Sequence, residues 1–185
     1  MRTLTAAADD ARPRRLTIVQ GEAVASADRA LTLTTILGSC VACCLYDGGA
    51  GIGGMNHFLL GDPPPGVTPG SADAERYGLF AMEKLVNEML KLGASRFGLR
   101  AHLYGGGNLH RGMRAIGDEN SRFARRFLAQ DGIALVREDL GGFAARRVDF
   151  QPGLGRARSR RVSDAPFADA MPAAIPAHTG EVELF

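Results

Sequence analysis

Two periods of apolar residues alternate along this chain. Arg15 to Gln20 (RLTIVQ) and Leu31 to Leu37 (LTLTTIL) are rich in Leu, Thr and β-branched residues and predict strands. Gly38-Ser39 ends the second. Cys40 to Tyr46 (CVACCLY) is short and continuously apolar, which fits a buried strand or a buried helix. The turn signal Asp47-Gly48-Gly49 behind it favours strand. Ile52 to Leu60 reads as a further extended segment, stopped by Asp62-Pro63-Pro64-Pro65. The Pro/Gly/Ser stretch from Gly61 to Asp73 is long for a compact domain and is a candidate functional loop. The pattern then changes to a helical one. Leu79, Met82, Leu85, Val86, Met89 and Leu90 recur at three- and four-residue spacing, so Tyr77 to Leu92 predicts a helix closed by Gly93. Phe97 to Tyr104 predicts a strand entering Gly105-Gly106-Gly107. Glu119 to Gln130 predicts a second helix with Phe123, Phe127 and Leu128 inward. Ile133 to Arg137, Arg147 to Phe150 and Arg156 to Val162 complete the strands, the last two as a hairpin across Pro152 to Gly155. Interspersed strands and helices predict an α/β (α+β) layered sandwich, a mixed sheet core with two main helices.

Composition bounds the class. The 185 residues suit one domain, and 45% apolar content suffices for a core. Residues 1–13 read as a loose arm, 14–162 as the domain, and 163–185 as an Ala/Pro-rich tail without periodicity. The tail ends in Glu181-Val182-Glu183-Leu184-Phe185, which has the character of a docking peptide. Lys and Arg number 22 against 20 Asp and Glu, a balance that does not argue for nucleic acid. The three cysteines lie within five residues of one another, so a disulfide framework is not expected and a reducing compartment is. No apolar run approaches the roughly 20 residues of a spanning helix, and Met1 to Arg15 lacks a signal peptide's apolar stretch. A cytoplasmic protein is expected.

Cys40 follows a glycine at a strand end, in Leu37-Gly38-Ser39-Cys40-Val41, where a nucleophile meets a substrate carbonyl and backbone N–H groups face the oxyanion. Read alone, it is more readily a small core residue, the commonest fate of a free cysteine and the reading given to Cys43 and Cys44. His57 lies in Gly53-Gly54-Met55-Asn56-His57-Phe58, and an imidazole beside a thiol lowers its pKa from about 8.5 by one to several units. His102, His110 and His178 read as structural or solvated. Thr34 shares the parity of Ile36, Gly38 and Cys40, whereas Thr35 faces away if the strand is regular. Thr34 is therefore the expected third member, orienting the imidazole. Cys40-x-x-Cys43 lacks the second pair of a zinc site. Gly105-Gly106-Gly107-Asn108 lacks a phosphate loop's following Lys. Arg156-Ala157-Arg158-Ser159-Arg160-Arg161 reads as a solvated strand face.

Taken in order, Leu37-Gly38-Ser39-Cys40-Val41, Leu45-Tyr46-Asp47, Gly53 to Leu60, Tyr77-Gly78, Gly105-Gly106-Gly107, Ile116-Gly117 with Asn120, and Asp139-Leu140-Gly141-Gly142 resemble the chemoreceptor glutamine deamidase family, CheD. The resemblance covers about Arg15 to Val162. It implies Cys40 as the nucleophile, His57 as its base and Thr34 as the supporting threonine. It further implies papain-like Cys-His chemistry on a fold similar to the deamidating domain of cytotoxic necrotizing factor toxins, with no metal and no organic cofactor. Substrates would be glutamines, and in some members glutamyl methyl esters, on the cytoplasmic helices of methyl-accepting chemotaxis receptors. A CheC-type phosphatase, itself linked to CheY, is the implied partner. The loops Gly61 to Asp73 and Gly105 to Asn108 are the expected walls of a shallow substrate groove.

Overall fold

The computed structural model of the chain describes residues 13–60, 71–109 and 116–162. The expected arm (residues 1–12), the tail (163–185), Gly61 to Gly70 of the expected loop, His110 and His178 lie outside the described residues. Within them the elements run β1 (Arg14–Thr17), β2 (Ala23–Ser26), β3 (Leu31–Leu37), β4 (Val41–Asp47), β5 (Ile52–Asn56), α1 (Ser71–Lys91), β6 (Leu99–Gly105), α2 (Ile116–Gln130), β7 (Ala134–Leu140), β8 (Arg146–Gln151) and β9 (Arg156–Arg161). Helix α1 starts six residues before the Tyr77 to Leu92 prediction, because its first turns lack the apolar stripe that revealed the rest. Strand β2 escaped prediction because Ala-Val-Ala-Ser is short and carries little apolar surface of its own.

The strands form two sheets. One has the order β1-β3-β8-β9 and the other β2-β5-β4-β6-β7. Both are mixed: β1 runs parallel to β3, and β6 parallel to β7, while the remaining pairs are antiparallel. The second sheet lies in the middle, with the first sheet on one face and both helices on the other. That position explains the continuous apolar run of β4. Its odd residues Val41, Cys43 and Leu45 join Met82, Leu85, Met89, Phe123 and Phe127 under the helices. Its even residues Ala42 and Cys44 join Leu31, Leu33, Leu37, Val148 and Phe150 between the sheets. A strand covered on both faces has no polar side to show. Cys43 and Cys44 are fully buried, one in each layer.

Asn56 stitches the middle sheet to α1. It is fully buried, and its Oδ1 accepts from the Cys43 N–H at 3.0 Å while its Nδ2 donates to the Ala81 carbonyl at 3.0 Å. Asn56→Ala orphans one buried group on each element, and each such group costs about 1–3 kcal/mol. Urea denaturation is expected to show a loss of at least about 2 kcal/mol with an unchanged m-value. A loss within about 0.5 kcal/mol would mean that the stitch is replaced elsewhere.

Candidate active site

The chain changes sheets between Leu37 and Val41, and the three residues in transit are Gly38, Ser39 and Cys40. Every carbonyl of this crossing is captured. Gly38 O accepts from the Gly107 N–H at 2.8 Å and Cys40 O from the Gly106 N–H at 2.7 Å. Ser39 O accepts from Asn120 Nδ2 at 2.8 Å, and Asn120 Oδ1 in turn takes the Leu60 N–H at 2.8 Å. Gly105 must lack a side chain, because a Cβ there would run into the Cys40 carbonyl. Its own carbonyl receives Arg146 Nη1. The Gly105 to Asn108 loop thus braces the crossing that carries Cys40. Gly105, Gly106 and Gly107 are buried, and the amides of Gly106 and Gly107 point at the crossing.

Cys40 and His57 occupy one face. Val41 and Phe58 exchange both backbone hydrogen bonds at 2.9 Å, extending the β4–β5 ladder in its own register. Ala42 therefore stands opposite His57, and Cys40 stands one diagonal step away. Diagonal cross-strand neighbours are separated by about 7–8 Å at the backbone, within reach of an imidazole. Cys40 packs against the cluster between the sheets, the side on which His57 also lies.

Thr35 holds the imidazole. Its hydroxyl donates to the Ile18 carbonyl at 2.7 Å, so only a lone pair of Oγ1 remains for His57 Nδ1 at 2.9 Å. Nδ1 must then carry the proton, which fixes the tautomer. Nε2 is left as a lone pair, buried and without a hydrogen-bond partner. An unsatisfied buried polar atom is destabilising, and such atoms persist where chemistry uses them. The expectation for Thr34 is corrected here. Its Oγ1 bonds Asp149 at 2.7 Å on the opposite face of β3. The parity argument failed because β3 ends at Leu37. Cys40 follows the register of β4, so counting from Thr34 across the crossing has no geometric meaning.

Electrostatics also departs from expectation. Burial pushes the Cys40 thiol up to about 11, opposed only in part by its own backbone N–H. Burial also holds His57 below its ordinary range, with the Ile18 carbonyl opposing. Thiol and imidazole are both neutral at pH 7 and are not hydrogen-bonded to each other. Burial of both groups sets these directions, and it opposes the thiolate that a neighbouring imidazole is expected to support. Among the described residues no group of three or more His, Cys, Asp and Glu is placed to hold a metal ion. No described helix is long and apolar enough to cross a membrane. A hollow of about 340 Å³ between α1 and α2, lined by Leu79, Glu83, Val86 and Phe127 among others, touches neither Cys40 nor His57.

Comparison with known proteins adds to this geometry. The family model described as CheD chemotactic sensory transduction matches residues 59–161. A protein of Caulobacter sp. strain K31 is 46% identical over 184 residues, covering 96% of this chain and 97% of that protein; it is named probable chemoreceptor glutamine deamidase CheD. The chain belongs to the CheD family. Two further relatives with the same name, from Zymomonas mobilis and Acidiphilium cryptum, are each 46% identical over 93% and 99% of this chain, and over 93% and 100% of their own lengths. The matched stretch of the CheD model begins just after His57, so it bears on the fold and not on the site. Among solved structures, a Bacillus licheniformis hypothetical protein, YfiH, has a TM-score of 0.45 at 12% identity, covering 72% of this chain and 61% of that one. A Neisseria meningitidis protein of the DUF152 family has 0.47 at 8% identity, covering 71% and 65%. At such distances these two carry no argument.

Beyond Cys40 and His57, the sequence pattern favoured Thr34 over Thr35 and gave Asn120 and Arg146 no role. Thr35 shares its parity with Leu31, Leu33 and Leu37, which already marked the buried face of β3. Asn120 sits on the apolar stripe of α2 beside Phe123 and Phe127, where a polar residue calls for a partner. Arg146 is a buried cation at a strand start, and no local pattern reveals its target.

Thr35→Ala is expected to lower turnover roughly 10- to 1000-fold, because orientation and tautomer carry part of a general-base contribution of about 10²–10⁴. Thr34→Ala is expected to cost less than that, its loss being the Asp149 bond. Equal or reversed effects in steady-state assays of the two variants would remove Thr35 from the site. Labelling of Cys40 by iodoacetamide is expected to be slow at pH 7 and to rise roughly tenfold per pH unit, because only the thiolate reacts. It should level off near the thiol's pKa of about 11. The sign for stability follows from His57. Its lowered pKa means that the neutral form stabilises the fold fully above the ordinary histidine value, and this contribution is lost as pH falls through the folded value. Fast labelling at pH 7, mapped to Cys40, would show a preformed thiolate instead.

Proposed function

We propose that the protein deamidates glutamine side chains of chemoreceptors, with Cys40 as nucleophile and His57 as its base. The observation that carries this reading is the free Nε2 lone pair of His57, fixed by Thr35 on the face that also bears Cys40. The names of the relatives supply the substrate class.

The chemistry follows from the neutral pair. As a substrate carboxamide closes over the thiol, His57 Nε2 takes the proton and Sγ adds to the amide carbon. The amide oxygen becomes an oxyanion beside the Cys40 N–H. The imidazolium then protonates the departing nitrogen, and ammonia leaves a thioester on Cys40. Water, deprotonated by His57, cleaves the thioester, giving glutamate and the free thiol. Proton transfer coupled to attack suits a thiol that is not ionised beforehand, since ionisation is then favoured only as the substrate reacts. The same route opens a glutamyl methyl ester, with methanol leaving instead of ammonia. This is papain-like chemistry in kind. A fold like that of the deamidating domain of cytotoxic necrotizing factor toxins belongs to the same proposal, as do action in the cytoplasm and a CheC-type phosphatase as partner. Thr34, the residue matching the supporting threonine of the family resemblance, serves the Asp149 contact in this reading, and Thr35 takes its role.

The test is ammonia release from a purified receptor cytoplasmic fragment, with intact-protein mass spectrometry of the fragment before and after. Wild-type protein is expected to convert discrete glutamines to glutamate. Cys40→Ala and His57→Ala are expected to release no ammonia above background while unfolding at the wild-type temperature. A Cys40→Ala protein that still deamidates the fragment refutes the assignment of the nucleophile.

A further inference from the structure

One polar side chain stands at the thiol without a part in the chemistry so far. The chain turns sharply at Val19 to Glu22, where the Glu22 N–H bonds the Val19 carbonyl at 3.0 Å and Gly21 takes φ 85°. A positive φ at the third position is the signature of a type II turn, which places Gln20 at the second position. The turn is fastened on both sides of the histidine. The Gly21 N–H donates to the His57 carbonyl at 2.8 Å, and the His57 N–H donates to the Glu22 carbonyl at 3.0 Å. The Glu22 carboxylate closes it further by accepting the Val19 N–H at 3.0 Å. Gln20 is thus an exposed side chain on a fixed corner, and the backbone of His57 sets where that corner lies.

The carboxamide of Gln20 reaches the nucleophile. Its Oε1 accepts the Cys40 thiol at a sulfur–oxygen distance of 3.6 Å. Among the described residues its Nε2 has no hydrogen bond. The terminal torsion of a glutamine is broad and nearly two-fold, so a half-turn exchanges Oε1 for Nε2 at little cost. The neutral thiol, which donates, matches the oxygen. A thiolate, or the oxyanion formed when it attacks, matches the N–H instead. One side chain therefore complements both ends of the proton transfer without moving its backbone.

We propose that Gln20 is a catalytic residue, the side-chain donor of the oxyanion hole, with the Cys40 backbone N–H as the other donor. Resting on the deamidase reading, it names the group that stabilises the tetrahedral intermediate. The Cys40 amide belongs to a peptide held from the far side by the Asn120 bond to the Ser39 carbonyl, which turns its N–H the other way. One donor would thus be rigid and the other able to swing. Two donors are the usual complement of such a hole. Other chemistry places a third demand on the same spot. A buried thiol with a pKa near 11 requires stabilisation of the developing negative charge, and His57, held by a neutral hydroxyl, supplies no fixed positive charge before the proton moves.

The experiment compares wild type with Gln20→Ala and Gln20→Glu on a receptor fragment. Because Gln20 is exposed, both variants are expected to unfold at the wild-type temperature. Gln20→Ala is expected to lower kcat roughly 10²–10³-fold with little change in KM, the loss measured for a single oxyanion donor. Gln20→Glu is expected to be at least as slow, since a carboxylate repels the charge that the amide would hold. A second readout does not require deamidation. A short peptide carrying glutamic semialdehyde forms a hemithioacetal with Cys40: the sulfur bonds to the aldehyde carbon, and the thiol proton passes through His57 to the aldehyde oxygen, which sits in the hole. Gln20→Ala is expected to weaken this adduct tenfold or more. Wild-type adduct formation without ammonia release from receptors would defeat the deamidase reading and leave the role of Gln20 standing. Gln20→Ala turnover equal to or above wild type would overturn the proposal, showing Gln20 to be a plug in the substrate's place. An active Gln20→Glu enzyme would overturn it as well, as would wild-type protein whose own Gln20 is found converted to glutamate.

Discussion

Three carbonyl captures at the crossing from β3 to β4 govern this structure. A chain leaving one sheet for another must break both ladders, which exposes backbone groups in a dry layer. Here Gly107, Asn120 and Gly106 take the three carbonyls of Gly38, Ser39 and Cys40 in turn. A trans peptide points its N–H opposite its C=O. Fixing the carbonyls on the helix and loop side therefore turns the Ser39 and Cys40 amides the other way, toward the reacting face. The brace is itself braced, since Arg146 holds Gly105 and Asn120 also holds Leu60. Helix α2, the Gly105 loop and the end of β5 all converge on three residues. Most of the polar burial in this part of the molecule follows from that convergence.

A second economy concerns charge. The layer between the sheets is apolar, lined by Leu31, Leu33, Leu37, Val148 and Phe150, and a carboxylate behind His57 would require its own escort of donors there. Thr35 orients the ring without adding a charge. Burial displaces the pKa values of Cys40 and His57 toward their neutral forms. Asp149, the carboxylate nearest in sequence register, lies beyond β3 and serves Thr34 and Arg15 on the outer face instead.

Much of this was legible in the sequence, and the failures share one cause. The extents of β3 and β8, the β8–β9 hairpin and the C-terminal parts of both helices follow local periodicity closely, because each is amphipathic or bounded by glycine. Cys40 and His57 stood out as candidates by their glycine-rich settings. Thr34 was chosen over Thr35 by carrying strand parity through Gly38-Ser39, across a point where the chain leaves its sheet. Parity is a property of one strand, and the leucines of β3 already placed Thr35 inward. Gln20, Asn120, Arg146 and β2 were missed for a related reason. Most of their partners lie about 20 to 81 positions away in the chain, beyond any window of local pattern, although Arg146 also reaches the nearby Gly141 carbonyl.

The height of the Cys40 pKa bears on more than catalysis. Peroxide attacks thiolates, and the ladder from sulfenic to sulfonic acid begins only from the ionised form. A thiol kept protonated by burial presents little thiolate to oxidants. Cys43 and Cys44, sealed in the two core layers, offer no accessible sulfur either. The burial that raises the pKa of this thiol thus bears on its chemical endurance as well.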